Sequence, residues 1–108
     1  MAMYQLARFE VHADRLEDAQ RAMHDFATYV RNELPGSMWT AYSDPATPTR
    51  FWCFLRTENP AADQSHRAAT GVKAFAASLA PHVVGKIETS EMQLVTSSDL
   101  APRHRKRR

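Results

Sequence analysis

The chain has 108 residues, of which 44% are apolar and 24% are charged, the make-up of one ordinary globular domain. No apolar run approaches the roughly 20 residues that a membrane-spanning helix requires. The first residues lack the basic and apolar stretches of a secretory signal, so we expect neither feature. The sequence has one cysteine, Cys53, which excludes an internal disulfide and favours a reducing, cytoplasmic location.

The basic side chains are unevenly distributed along the chain. Five of the fourteen lysines and arginines lie within residues 103–108, so residues 1–100 carry nine basic side chains against all twelve acidic ones, a net charge of −3. A nucleic-acid-binding domain usually spreads lysine and arginine over a folded face. We therefore expect a folded domain over residues 1–96 and a basic, disordered tail over residues 97–108, and we do not expect nucleic acid as a partner of the folded part.

The first third of the chain predicts a strand followed by a long helix. Residues 3–12 alternate with period two, as a β-strand does. Asp14 is the predicted N-cap of the helix, with Glu17 at the capping-box position. The helix carries one apolar stripe at intervals of three or four residues: Leu16, Ala19, Met23, Phe26, Val30 and Leu34. Pro35 and Gly36 end it, because proline cannot continue a helix and glycine accepts the left-handed turn.

Two strands are predicted next, over residues 37–43 and 50–58, since both segments are rich in aromatic and β-favouring side chains. The residues between them, 44–49, are typical of a turn, which predicts a hairpin.

The last third predicts a broken helix and a final strand. Asn59 followed by Pro60 is typical of a helix start, so we expect a short helix over residues 60–68. A second helix is predicted over residues 71–80 and a last strand over residues 86–95.

The order of these elements predicts an α+β fold. It is the order of a ferredoxin-like βαββαβ arrangement, in which an antiparallel sheet carries its helices on one face. The other face would expose a sizeable apolar patch, formed by Tyr4, Leu6, Trp52 and Phe54. Such a patch is normally covered, so we predict a homodimer that forms through the open face of the sheet.

Four stretches also carry a resemblance to a known family. They are residues 6–11, residues 34–37, the hairpin at 42–51, and the segment that runs from Glu58 to Pro81. In this order and spacing they resemble the antibiotic biosynthesis monooxygenase family of dimeric α+β barrel proteins, which includes quinol monooxygenases. The resemblance implies a homodimer with a pocket between sheet and helices in each subunit. It also implies that no metal or flavin is needed, because a phenol or hydroquinone substrate itself reduces O₂ once it is deprotonated.

His66 is the catalytic candidate, because the resemblance places the family's histidine here. An unperturbed imidazole titrates near ~6.5, so it can accept a phenolic proton at neutral pH. The alternative is a partly exposed histidine with a structural hydrogen bond. The side chains that the resemblance turns toward the pocket are the candidate substrate-binding residues: Gln5, Phe9, Cys53, Thr57 and Phe75.

Other chemistries find little support in the sequence. A lone cysteine among apolar neighbours is usually a small buried apolar group, and no base is apparent that would activate Cys53 as a nucleophile. The histidines form no pair with ligand spacing, and no glycine-rich phosphate loop is present, so we expect neither a metal site nor a nucleotide cofactor.

The sequence therefore favours a cofactor-independent monooxygenase that oxidises a small phenolic or quinol-type aromatic substrate with O₂. Two alternatives stay open, and one departure from the family favours the first of them: the run that is like Arg-Trp-Glu in relatives is Arg56-Thr57-Glu58 here. Without that tryptophan, the chain could be a non-catalytic dimeric barrel that binds a small hydrophobic ligand or serves a structural role. It could also be a proton-transfer isomerase on the same scaffold.

Overall fold

The computed structural model describes residues 2–102 of the chain. In that range it has four strands, which are β1 (Met3–Val11), β2 (Ser37–Asp44), β3 (Thr47–Thr57) and β4 (Val83–Met92). Its three α-helices are α1 (Leu16–Glu33), α2 (Pro60–Ala68) and α3 (Thr70–Leu79). The strands form one antiparallel sheet in the order β2-β3-β1-β4. The predicted α+β, ferredoxin-like fold is confirmed.

The main core lies between the sheet and the helices. Pairing of β1 with β3 places Phe9 opposite Phe51 and Ala7 opposite Cys53. The rings of Phe9 and Phe51 stack with their centroids 5.6 Å apart. Met23 of α1 packs in the same buried cluster, because the helix turns its apolar stripe toward this face of the sheet. We call this the covered face.

Helix α1 does not begin as the sequence predicts. Asp14 lies inside a short 3₁₀ turn (Ala13–Arg15), and Arg15 is the N-cap residue, without a side-chain hydrogen bond. The amide of Arg15 instead donates to the carbonyl of His12 at 2.9 Å. The backbone thus satisfies one of the free groups that a capping side chain would take, and the prediction of Asp14 as N-cap is wrong.

Helix α2 begins as predicted. The side chain of Asn59 accepts a hydrogen bond from the amide of Ala62 at 2.9 Å, and Pro60 is the first helical residue. Proline is well suited to this position, since its missing N–H would have no partner in the first turn.

The hairpin is tighter than the sequence predicts. Asp44 ends β2 and Thr47 begins β3, and the Asp44 carboxylate accepts a hydrogen bond from the amide of Ala46 at 2.9 Å. The pairing shifts register next to Asp44, where β3 has extra residues that include Pro48. A proline without an N–H is tolerated at such an irregularity of the ladder.

The last strand lies three residues earlier than predicted, over Val83–Met92. It pairs with β1 from Val11↔Val83 to Tyr4↔Met92. Since β1 begins at Met3, little of its edge is left to pair with Leu94 and Val95, and these residues lie outside the strand.

The face of the sheet opposite the helices is open. Leu6, Tyr42, Trp52 and Phe54 form an apolar hollow there, and Tyr42 and Phe54 are 54% and 38% exposed. We call this the open face; dimerisation through it stays a prediction. The basic residues of the predicted tail, 103–108, lie outside the described residues. Within residues 2–102, no helix is long and apolar enough to cross a membrane.

Candidate active site

A cavity of about 150 Å³ lies between the covered face and the helices, and we call it the inner chamber. Every α-helix and every strand contributes to its wall, and most of the lining side chains are apolar. The lining residues are Gln5, Ala7, Phe9, Phe26, Trp39, Cys53, Leu55, His66, Val72, Phe75, Ala76, Leu79 and Ile87. The chamber therefore offers an apolar ligand a site with few polar contacts.

Aromatic rings form one side of the inner chamber. Phe26 of α1 and Phe75 of α3 stack in parallel, with centroids 4.2 Å apart. Trp39 of β2 meets both rings edge-on, at 5.0 Å from Phe26 and 5.6 Å from Phe75. Such stacked and edge-on contacts hold rings in place, so this wall is closely packed.

His66 is the basic group of the chamber. Its side chain is buried on α2, 6% exposed, and its ring lies edge-on to Phe26 with centroids 6.0 Å apart. The Nδ1 atom is buried and has no hydrogen-bond partner within the described part of the chain. A buried imidazole nitrogen without a partner is costly.

Burial lowers the pKa of His66 below its ordinary value. The Asp63 carboxylate, one turn earlier on α2, acts in the opposite direction, and the charge of Arg67 adds to the lowering. The imidazole is therefore mostly neutral at pH 7 and has a lone pair with which to accept a proton.

Cys53 lines the same chamber from β3. Burial raises the pKa of its thiol to about 12, so the thiol is protonated at neutral pH. This agrees with the expectation that Cys53 is not activated as a nucleophile, because the thiolate is the reactive form of cysteine.

A second cavity, of about 350 Å³, adjoins the inner chamber, and we call it the vestibule. Gln5 and Leu55 line both cavities. Arg67 lies in the vestibule wall, with its Nε 2.8 Å from a carboxylate oxygen of Asp63 and its Nη2 3.8 Å from a carboxylate oxygen of Glu91. The contact with Asp63 lies within α2, and the contact with Glu91 links α2 to β4. The latter pair is too exposed to hold the two elements together strongly.

Over residues 2–102, no three side chains of histidine, cysteine, aspartate or glutamate come close enough together to hold a metal ion.

This chain is similar to known proteins in its three-dimensional structure. No protein-family model matches the sequence, and no curated protein matches it. The fold of Rv0793 from Mycobacterium tuberculosis is similar with a TM-score of 0.80, at 14% identity over 91% of this chain and 99% of that one. A variant of SnoaB, a cofactor-independent oxygenase from Streptomyces nogalater, gives 0.78 at 14% identity over 90% and 96%. A structure named as an antibiotic biosynthesis monooxygenase gives 0.78 at 14% identity over 89% and 100%.

The chain has the fold of the antibiotic biosynthesis monooxygenases. The expected resemblance is thereby confirmed for the fold. In this antibiotic biosynthesis monooxygenase fold the inner chamber brings together five of the residues selected from the sequence: Gln5, Phe9, Cys53, His66 and Phe75.

Thr57 is the one selected residue that does not line the chamber. It ends β3, where it pairs with Met3 on one side and Ser37 on the other. Its side chain is 1% exposed, and its hydroxyl has no hydrogen-bond partner within the described residues.

Sequence reasoning missed part of the aromatic wall as a binding surface. Phe26 was identifiable as a core residue from the α1 stripe, but its stacking against Phe75 depends on how two distant helices pack. The register Trp39↔Leu55 puts Trp39 on the covered face, and alternation along β2 and β3 could have indicated this once the hairpin register was known.

Proposed function

We propose that this protein is a cofactor-independent monooxygenase that oxidises a small phenolic or quinol-type aromatic substrate with O₂. One observation carries the proposal: a buried, neutral imidazole with an unpartnered nitrogen lies in the wall of an apolar, aromatic-lined chamber. The fold is compatible with such chemistry, since SnoaB, which shares it, is named a cofactor-independent oxygenase. Fold alone does not imply function, so the proposal depends on the site.

In the proposed reaction, the neutral imidazole of His66 accepts the proton of a phenolic hydroxyl. The phenolate then supplies electrons to O₂, and a bond forms between a ring carbon and one oxygen atom. The O–O bond breaks, and the second oxygen leaves as water. For a hydroquinone the balance is one quinol plus one O₂ giving one hydroxyquinone plus one water. The quinol supplies all four electrons, two from its hydroxyl groups and two from the C–H bond that becomes C–O.

The remaining residues of the chamber have supporting roles. Phe9 and Phe75 contact the faces or edges of the aromatic ring, and Gln5 and Cys53 border it with small polar groups. The apolar wall excludes bulk water, which protects reactive oxygen adducts from side reactions. Thr57 has no assigned contact with substrate, because it lies outside the chamber wall.

Oxygen consumption tests this proposal. Metal-free and flavin-free protein is mixed with a set of hydroquinones, and O₂ uptake is followed together with formation of the hydroxyquinone. We expect uptake above the uncatalysed rate, and a loss of about 10²-fold or more in His66→Gln, the size typical of general-base removal. His24→Gln is the matched control, since His24 is an exposed histidine of α1 that does not line the chamber.

Two outcomes would contradict the proposal. One is the absence of enzymatic uptake with every hydroquinone, and the other is a His66→Gln variant as active as wild type. Thermal stabilisation by these ligands without any product would support the alternative of a non-catalytic ligand-binding protein. Turnover of a substrate without O₂ consumption would support the proton-transfer isomerase.

We further propose that two copies of the chain cover each other's open faces. The support is the apolar hollow formed there by Leu6, Tyr42, Trp52 and Phe54, a surface type that is normally buried. Sedimentation at micromolar concentration tests this. We expect a dimer for wild type and a folded monomer for Phe54→Glu, while Thr28→Glu, on the exposed side of α1, remains dimeric. A monomeric wild type would contradict the proposal.

A further inference from the structure

The inner chamber and the vestibule meet at a single pair of residues. Gln5 of β1 and Leu55 of β3 are directly opposite each other in the sheet. They are also the residues that line both the inner chamber and the vestibule. One cross-strand pair therefore lies where the two spaces meet, and we call it the partition.

We propose that the partition limits the substrate to a single aromatic ring, which makes Leu55 and Gln5 specificity-determining residues. This inference takes the phenolic character of the substrate from the proposed function. The limit on ring number comes from the geometry of the two cavities.

The volume of the inner chamber matches a single aromatic ring. The inner chamber has about 150 Å³, and an apolar protein cavity of about that size is known to accommodate benzene. One six-membered ring thus fills the chamber. Drug-sized ligands use pockets of roughly 300 Å³ or more, so a fused second ring needs space beyond the chamber.

The chamber cannot easily gain that space from its aromatic side. Phe26 and Phe75 stack at 4.2 Å, and Trp39 abuts both. Closely packed interiors resist expansion, because extra atoms force side chains out of their preferred rotamers. On the other side of the partition the structure offers the vestibule, of about 350 Å³. Another cavity of about 350 Å³ also borders Trp39, but the packed rings of Phe26 and Phe75 adjoin that residue.

The side chains of Leu55 and Gln5 are suited to limit access from the inner chamber to the vestibule. Leu55 is buried, 7% exposed, so its side chain is held in place by neighbours and cannot swing aside without loss of packing. Gln5 is half-buried and has an amide that can bond to a substrate hydroxyl at the edge of the chamber. Shortening either side chain would connect the two cavities.

Anaerobic calorimetric titration with phenol and with 2-naphthol tests the inference without any need for turnover. We expect wild type to bind phenol at least about tenfold more tightly than 2-naphthol, a difference of ~1.4 kcal/mol. We expect Leu55→Ala to reverse this preference. Gln5→Ala should shift it in the same direction, and because Gln5 is only half-buried this variant tests the idea even where Leu55→Ala fails to fold.

Leu34→Ala is the matched control. It shortens a buried leucine, 9% exposed, that lines neither cavity, so it leaves both the chamber and the partition intact. Its preference should remain that of wild type.

The outcomes separate this inference from the proposed function. Equal affinity of wild type for phenol and 2-naphthol would overturn it, as would an unchanged preference in both Leu55→Ala and Gln5→Ala. Failure of wild type to bind either ligand would overturn it too. If the binding preference follows the partition but no hydroquinone consumes O₂, the inference stands and the proposed oxygenation fails.

Discussion

The two faces of the sheet are made by the same strands, yet they differ in what covers them. On the covered face, Phe9, Phe51 and Cys53 are buried under the helices. One residue further along the same strands, Trp52 and Phe54 lie on the open face, where Phe54 and its neighbour Tyr42 remain exposed. Alternation with period two therefore supplies apolar side chains to both faces, and the helices bury only one of them.

The reason for this asymmetry lies in the connections. β1 and β2 run parallel to each other with β3 between them, and β3 and β4 run parallel with β1 between them. Crossovers between parallel strands are right-handed, and in this strand order both right-handed crossovers fall on one side. The covered face can therefore form a chamber within one chain, whereas no helix of the described residues packs on the open face.

We expect the largest effect on stability when the same substitution, leucine to alanine, is made on the covered face and on the open face. Leu79→Ala, at a position 1% exposed under the covered face, should lower the free energy of unfolding by about 2–5 kcal/mol. Leu6→Ala, on the open face, should cost much less in dilute protein. Urea unfolding at several protein concentrations measures both.

The two substitutions should also differ in how their cost in stability depends on protein concentration. The cost of Leu79→Ala should not change with protein concentration, while the cost of Leu6→Ala should rise with it if a second copy covers the open face. Equal costs at every concentration would mean that the two faces do not differ in cover as we describe.

A smaller effect concerns how the helices close over the covered face. A β-carbon at Gly71 would lie 2.2 Å from the ring of Tyr29, whose hydroxyl accepts the Gly71 amide at 3.2 Å. Gly71→Ala should therefore destabilise the protein by about 1–3 kcal/mol through overpacking, as measured by thermal unfolding. In a Tyr29→Leu background the same change should cost less. Stabilisation by Gly71→Ala, as helix propensity alone would give, would contradict this packing.

The next effect is a dependence of stability on pH that arises from His66, which is buried against the covered face. Because burial lowers the pKa of His66, the unfolded chain binds a proton more readily than the folded one. The corresponding stability is present above the unfolded pKa and is lost as pH falls below it toward the folded pKa. Between pH 7.5 and 5, wild type should lose more stability than His66→Gln. Identical pH slopes for the two would contradict the burial of His66, and exposed His24→Gln provides the control.

We expect the smallest effect for an ion pair on the open face. Arg8 and Glu88 form an ion pair of 3.0 Å with both side chains more than half exposed, so a double-mutant cycle with Arg8→Met and Glu88→Gln should give a coupling below about 1 kcal/mol. The pair Arg21–Asp18 on α1, similarly exposed, is the control. A clearly larger coupling for Arg8–Glu88 at high protein concentration would indicate that the open face is desolvated in an assembly.

Much of the fold could be predicted from local signals. The Asn59–Pro60 helix start and the helix end at Gly36, which has a φ of 85°, follow from side-chain and backbone chemistry within a few residues. Predictions of strand limits failed where pairing with another strand decides them. The limits of β4 depend on where β1 begins, and β3 begins at Thr47 because that residue pairs with Asp44 of β2.

The sequence by itself determined which side chains share each face of the sheet, since alternation along a strand requires no knowledge of the rest of the chain. Alternation put Gln5 and Phe9 on one face of β1, and the family resemblance, not the alternation, joined Cys53, Phe75 and His66 to them. Only the tertiary structure decided that His66 is buried, that the chamber holds about 150 Å³, and that Gln5 meets Leu55 at its boundary. These properties are set by the packing of side chains from all the helices and strands at once, and a cavity is the space that such packing leaves unfilled.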